Sequence, residues 1–346
     1  MTGALRAILL MLALSPVAPV SAADIRNEVA DFADLPRWPH DDHAAALSVF
    51  LETCPDMAGA DWQSLCALAQ TDPAPRTFFE LFFRPVLITD GTPALFTGYF
   101  EPELFGALRP DARYRHPVYR LPPEARNSSV WLSRREIVTG DVMQGRGLEI
   151  AWVDDPVELF FLQIQGSGRI RLPDGRVIRV GYAGSNGHSY RSIGVELVRR
   201  GIYKAHQVSA QVIKNWVRRN PVAGRELLLH NPSYVFFRRI DEVPPERGPL
   251  GAMNRSVTPG RTVAVDPAHV PLGAPVWIET EGHDPMHRLM VAQDTGSAIR
   301  GPQRADIFFG AGDAAGRRAG RLRDRGRMLV LMPIQRAYAM LTDPFE

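Results

Sequence analysis

Residues 264–310 read AVDPAHVPLGAPVWIETEGHDPMHRLMVAQDTGSAIRGPQRADIFFG. Asp266 closes the apolar run Arg261-Thr-Val-Ala-Val265 and leads into Pro267 and Pro271-Leu-Gly273. Asp294 follows a second apolar run, Leu289-Met-Val-Ala-Gln293, and precedes Thr295-Gly296. Asp306 stands before Ile307-Phe-Phe-Gly310. Runs of this length, rich in β-branched and apolar residues and bounded by Gly and Pro, read as strands. Each aspartate therefore sits at a strand edge, where side chains can converge on the rim of a barrel. Alone, each would read as a turn residue bonded to nearby backbone N–H groups. Three in such contexts point to a site.

The surrounding chain extends the β texture. Strands are expected at 94–100, 159–165, 234–240, 261–265, 275–280, 287–293 and 328–332. Arg169 to Leu172 runs into Pro173-Asp-Gly175 and then Arg176 to Val180, a hairpin. Helices are expected over 40–70, broken by Pro55 and Gly59, over 76–83 and over about 188–219, where Ser209 opens the second part and Asn220-Pro221 ends it. Pro244, Pro245, Gly248, Pro249 and Gly251 mark a linker. No internal repeat is visible. The pattern predicts a mainly β protein with peripheral helices, built on barrels rather than an open parallel sheet.

The series Ala264-Val-Asp266…Pro271-Leu-Gly273…Ala292-Gln-Asp294-Thr-Gly296…Ala305-Asp306-Ile307 resembles the three-aspartate domain, a double-psi β-barrel. Three upstream segments resemble the membrane-bound lytic murein transglycosylase A family: Thr97-Gly-Tyr-Phe-Glu-Pro102, Phe160-Phe-Leu-Gln-Ile-Gln-Gly-Ser-Gly168 and Gly181-Tyr-Ala-Gly-Ser-Asn-Gly-His-Ser-Tyr-Arg-Ser-Ile193. The resemblance covers roughly residues 76–345. It implies a double-psi barrel with a second β-barrel-like domain inserted and a glycan-holding groove between them. In these terms 23–105 and 251–346 form a helical N-terminal segment plus the barrel, and 106–250 form the insert. It also implies cleavage of the MurNAc–GlcNAc β-1,4 bond of peptidoglycan, leaving 1,6-anhydro-MurNAc ends. The position matching the family's catalytic residue is Asp294. The family's lipid-attachment cysteine has no counterpart here, which weighs against anchoring at the outer membrane.

The chemistry has its own logic. Ordinary glycosidases need two carboxylates. A lytic transglycosylase can use one, which protonates the glycosidic oxygen and then takes a proton from the 6-hydroxyl of the same sugar. That tethered nucleophile has a large effective concentration. The acid must begin protonated near neutral pH, so burial or a neighbouring carboxylate must raise its pKa. Asp294 fits this role, with Asp306 and Asp266 tuning it or bracing the barrel. Gln163 and Gln165, on one face of the strand expected there, are candidate sugar ligands, as is Ser167, and Gly166 and Gly168 would let a ligand approach the backbone. A hairpin corner with solvated glutamines is the alternative. Thr97, Tyr99 and Glu101 alternate similarly, with Tyr99 either stacking on sugar or packing in the core, and Glu101 a rival second carboxylate. Tyr182 and Asn186 complete the candidate sugar contacts. A hydrolase pairing Asp294 with Glu101 or Asp306, and a non-catalytic wall-binding module, are the competing readings.

The N-terminus shows one early charge, Arg6, an apolar run from Ala7 to Leu14 and a small-residue site at Val20-Ser-Ala22. This reads as a cleavable signal peptide over 1–22, and hence a periplasmic protein, an uncleaved anchor being the alternative. Cys54 and Cys66 are the only cysteines; in an oxidising compartment they are expected to pair, two buried thiols being the alternative. The balance of 40 basic against 38 acidic residues gives no reason to expect nucleic acid as a partner. Neither His40-x-x-His43 nor His283-x-x-x-His287 has a third ligand in view, so solvated histidines and no metal are expected. Gly166-x-Gly168 lacks a nucleotide fingerprint, and Ser167 lacks a nucleophile elbow. No cofactor is expected. The resemblance implies peptidoglycan glycan as the partner, and the protein is expected to act as a monomer. The arginines from Arg317 to Arg327 read as a solvated face that could attract an anionic polymer.

Overall fold

The computed structural model describes residues 25–341 apart from 245 and 297. The expected signal segment, 1–22, lies outside them. Fifteen strands are described: β1 Arg26–Val29, β2 Phe83–Thr89, β3 Leu95–Glu101, β4 Glu103–Ala107, β5 His116–Tyr119, β6 Glu149–Val153, β7 Gly168–Arg171, β8 Val177–Ser185, β9 Val235–Ile240, β10 Thr262–Val265, β11 Pro275–Thr280, β12 His287–Thr295, β13 Arg304–Ala311, β14 Arg323–Asp324 and β15 Gly326–Pro333. The α-helices are α1 His43–Thr53, α2 Ala60–Ala69, α3 Pro75–Phe82, α4 Pro123–Arg126, α5 Arg134–Thr139, α6 Pro156–Gln165, α7 Ile193–Arg199, α8 Ala210–Arg219, α9 Pro221–His230, α10 Gly312–Ala319 and α11 Ile334–Ala339.

Two sheets hold the molecule, and the protein is mainly β with peripheral helices. The first has nine strands in the order β1-β2-β15-β11-β12-β10-β13-β3-β14. Its members come from both ends of the chain. Most pairs are antiparallel, but β10 runs parallel to β12 and β13 parallel to β3. The second sheet, β5-β6-β4-β7-β8-β9, is drawn entirely from the segment between them. The expected boundary at 105/106 is corrected: the chain leaves the first sheet at Pro102, because β4 already pairs with β6 and β7.

The larger core lies on the first sheet. Phe50 of α1, Trp62 of α2, Phe78 and Phe79 of α3 and Phe83 of β2 are buried in one aromatic cluster. Each such side chain contributes roughly 1.5–3 kcal/mol on burial. Asp42 caps α1 by accepting the Ala45 N–H at 3.0 Å. Cys54 and Cys66 form a disulfide that ties α2 back to the end of α1.

A second expectation is overturned. Residues 159–165 form not a strand but most of α6. Asp155 caps it through the Val157 N–H at 2.7 Å, Pro156 fills its first position, and Gly166 ends it in the left-handed conformation at φ 77°. The aromatic, apolar composition that suggested a strand reflects burial of Val157, Phe160, Phe161 and Leu162 between sheet and helices.

Candidate active site

Four adjacent strands, β12, β10, β13 and β3, carry a row of facing residues. Ala264 of β10 lies opposite Asp294 on one side and Asp306 on the other, and Asp306 lies opposite Thr97. Cross-strand partners share a face, so both carboxyls project from the same side, two strands and about 10 Å apart at the backbone. Between them stands only an alanine. A bulge between Val263 and Ala264 shifts the register so that Asp294, not Gln293, meets Ala264. Gln293 is fully buried instead.

Asp294 is held by three donors. Its Oδ1 accepts the backbone N–H groups of Ala252 and Thr295, each at 2.9 Å. Its Oδ2 accepts the Tyr99 hydroxyl at 2.9 Å. Tyr99 leans on Phe308, ring centroids 5.1 Å apart, which fixes the reach of its hydroxyl. Burial pushes the Asp294 carboxyl up, and the charge of Asp306 adds to this, against the three hydrogen bonds. No cation pairs with Asp294 among the described residues. Asp306 is likewise pushed up by burial, against the pull of Thr97 and Arg304. The Thr97 hydroxyl donates to it at 2.6 Å, and Arg304 holds that hydroxyl from behind at 2.8 Å.

Two glycines make this geometry possible. A Cβ on Gly98, between Thr97 and Tyr99, would meet the Ala319 Cα and the Phe309 ring at 2.7 Å, so glycine lets α10 lie flat on β3. A Cβ on Gly251 would come within 3.3 Å of the Asp294 carboxyl carbon, so glycine lets the loop bring the Ala252 N–H in.

The other candidates divide. Gln165 is at the site: its Oε1 accepts the Phe100 N–H at 3.2 Å, joining the end of α6 to β3. Gly166 and Ser167 follow it, and a Cβ on Gly166 would meet open space. Tyr182 lies on β8 just past the last β7 pairing and is 56% exposed. Glu101 is no second carboxylate. It is wholly buried and forms ion pairs with Arg169 and Arg179, each at 2.8 Å, because its strand ends where the second sheet begins. Gln163 does not share a face with Gln165, since residues two apart in a helix diverge. It is buried and accepts from Arg134 at 2.5 Å. Asn186 is buried too, donating to the Leu132 and Pro232 carbonyls at 2.8 and 2.9 Å and accepting the Tyr234 N–H. Asp266 stands apart from the other two aspartates. Burial works to raise its pKa, but the Gly301 and Ala268 N–H groups hold it below its usual value. It braces the loop at 300–301.

The junction thus gathers Thr97, Tyr99, Gln165, Asp294 and Asp306. Sequence reasoning missed Ala252, whose contribution is a backbone N–H, and Arg304 behind Thr97. Of the histidines set aside, His43 is buried edge-on against Trp38 rather than solvated. Among the described residues no cluster of three or more His, Cys, Asp or Glu could hold a metal.

Residues 95–238 match the family model of the MltA specific insert domain, and residues 261–332 match the 3D domain. A membrane-bound lytic murein transglycosylase from Agrobacterium tumefaciens has a crystal structure with 32% identity and a TM-score of 0.80, covering 91% of this chain and 99% of that one. The chain belongs to the membrane-bound lytic murein transglycosylase A (MltA) family. The MltA of Escherichia coli crystallised with chitohexaose is 29% identical with a TM-score of 0.71, covering 86% of this chain and 90% of that one. The curated membrane-bound lytic murein transglycosylase A of Vibrio cholerae is 34% identical over 244 residues, 68% of this chain. The match spans 64% of that relative's length. Strands β10 to β15, which carry the aspartates, fall in the 3D region but for the last residue of β15, whereas β3 and all of the second sheet but the end of β9 fall in the insert region.

Proposed function

We propose that this protein is a lytic transglycosylase that cleaves the MurNAc–GlcNAc β-1,4 bond of peptidoglycan, with Asp294 as its single acid and base. The observation that carries this reading is the state of Asp294: a carboxyl raised by burial, hydrogen-bonded on both oxygens, with no cation among the described residues to hold it ionised. Of the other carboxyls nearby, Glu101 is ion-paired and Asp266 is tied to backbone, which leaves Asp306, bonded to Thr97, as the one partner a two-carboxylate hydrolase would have to use.

The hydrogen bonds assign the proton. Oδ1 accepts two backbone N–H groups and must stay an acceptor, so the proton sits on Oδ2. Tyr99, whose phenol is itself pushed well above its ordinary value by burial and then by the Asp294 charge, remains a donor to that oxygen. Oδ2 gives its proton to the glycosidic oxygen as the C1–O4 bond breaks. The carboxylate so formed is stabilised by Ala252, Thr295 and Tyr99. It then takes the proton of the 6-hydroxyl as O6 bonds to C1, closing the 1,6-anhydro ring and restoring the acid. No water is consumed, and the tethered hydroxyl supplies the nucleophile.

The glycan is proposed to lie in the groove where β3, the end of α6 and the Ala252 loop meet, with Gln165, Gly166, Ser167 and Tyr182 along it. The oligosaccharide bound to the E. coli relative supports a sugar polymer as ligand. The relatives are named as membrane-bound, which fits the cell envelope. Export as a soluble periplasmic monomer, with residues 1–22 removed, completes the proposal; the mature N-terminus should sequence from near Ala23. The activity is tested by digesting purified sacculi and weighing the products. Anhydro-muramoyl ends are expected. Reducing ends would make the protein a hydrolase, and intact sacculi a wall-binding module.

A further inference from the structure

The insert contains a cavity of about 650 Å³ among α5, α6, α9 and β5, separate from the proposed glycan groove. Its size is that of a small-molecule site. Its walls are largely hydrocarbon, with Ile137, Met143, Phe160, Leu228 and Leu229 among them. One polar group is out of place. Arg134, the first residue of α5, lines the cavity and is only 5% exposed. Its guanidinium lies between the rings of Phe160 and Tyr234, 4.6 and 5.1 Å from their centroids.

Three bonds hold this guanidinium: Nε to the Asn231 carbonyl at 3.1 Å, Nη1 to Gln163 Oε1 at 2.5 Å, and Nη2 to the Ser233 carbonyl at 2.6 Å. All three acceptors are neutral. The other buried arginines among the described residues have acids, Arg179 with Glu101 and Arg261 with Asp41. Arg134 has none among those residues. A guanidinium carries five N–H donors, so one donor on each terminal nitrogen has no protein acceptor. Burying a cation without a counter-charge is costly. Burial pulls its pKa down to about 10, against the opposing influence of Tyr234 and Tyr190. At the rim, Arg218 is neutralised by Asp155 and Glu158, while Arg115 and Arg225 add positive charge.

We propose that this cavity binds a carboxylate with an extended apolar body, such as a fatty acid. The two spare donors of Arg134 match the two oxygens of one carboxylate. The hydrocarbon walls take the chain and offer a sugar or a peptide little to bond. A phosphate dianion would need more donors than remain.

The test is calorimetric titration of the full chain with decanoate and with 1-decanol, below their solubility limits. Decanoate should bind at one saturable site per chain, and the uncharged alcohol at least tenfold more weakly. Val138→Trp, at a rim position that is 47% exposed, should block the mouth and abolish binding without disturbing the fold. Arg134→Gln should weaken decanoate at least tenfold and leave decanol unchanged. Because Arg134 also holds residues 231–233, its melting is recorded alongside; should it fail to fold, the head-group comparison and Val138→Trp decide. The proposal is overturned by absence of saturable binding, by equal affinity for acid and alcohol, or by decanoate binding that Val138→Trp leaves intact.

Discussion

Asp294 has an energetic position that two substitutions can read separately. A carboxyl whose folded pKa is raised weakens the fold once pH exceeds the unfolded value, 3.8, and the penalty grows until the folded pKa is passed. Asp294→Asn removes that penalty. Its amide oxygen can take the Ala252 and Thr295 N–H groups, and its NH2 can donate to a rotated Tyr99 hydroxyl. Activity on sacculi should fall by at least ~10²-fold, the low end of a general acid's contribution. Thermal melting at pH 7 should be equal to or above wild type, with any gain vanishing below pH 3.8. Turnover near the wild-type rate would remove Asp294 from its role. Tyr99→Phe acts the other way on the same group. The hydroxyl stabilises the charged carboxylate, so losing it raises the pKa further. The alkaline limb of the pH–rate profile should move to higher pH while the maximal rate falls. A limb that stays in place or moves down would contradict the hydrogen bond.

At the scale of elements, the junction of the two sheets rests on Glu101. The last residue of β3, it clasps Arg169 of β7 and Arg179 of β8, and both arginines also donate to the Arg247 carbonyl in the returning segment. Glu101→Gln would leave two cations short of a counter-charge, at a cost of about 3–5 kcal/mol. Urea denaturation should show this as a lower midpoint; an unchanged midpoint would mean the clasp carries little. This role was not visible in the sequence, where Thr97, Tyr99 and Glu101 alternate as one face of one strand. The alternation holds for Thr97 and Tyr99. At Glu101 the chain is already turning towards Pro102 and the second sheet, so the third side chain meets arginines rather than solvent. α6 was misread for a related reason. Its start and stop signals, Asp155, Pro156 and Gly166, were all legible, but its interior is apolar on most sides because sheet and helices both cover it. Periodicity cannot separate such a helix from a buried strand.

At the scale of the whole molecule, the strands of the first sheet were legible because each is short, apolar and ended by Gly, Pro or Asp. Their order was not, since register depends on partners far apart in the chain. The candidate site was half legible: Asp294, Asp306, Thr97 and Tyr99 could be picked out by their motifs, whereas a backbone N–H from Ala252 leaves no side-chain signature. The split origin of that sheet also sets a timetable. Val86 of β2 pairs with Val330 of β15, and Asn27 bonds the Met340 carbonyl across a sequence separation of 313. The strand pairings of the second sheet all lie within 103–240, and its ties beyond that range, to Glu101, Pro102, Pro244 and Arg247, are to residues next to it in the chain. Closing long loops slows assembly, so the middle of the chain should acquire structure while its two ends still wait for each other. Pulse-labelled hydrogen exchange during refolding should find amides of β7 and β8 protected before those of β2 and β15, and simultaneous protection would speak against this order. During synthesis, one edge of β2 and the aromatic cluster beside it stay uncovered until β15 arrives. A chain stopped short of residue 326 would present an open strand edge and unburied phenylalanines, features that invite aggregation and proteolysis.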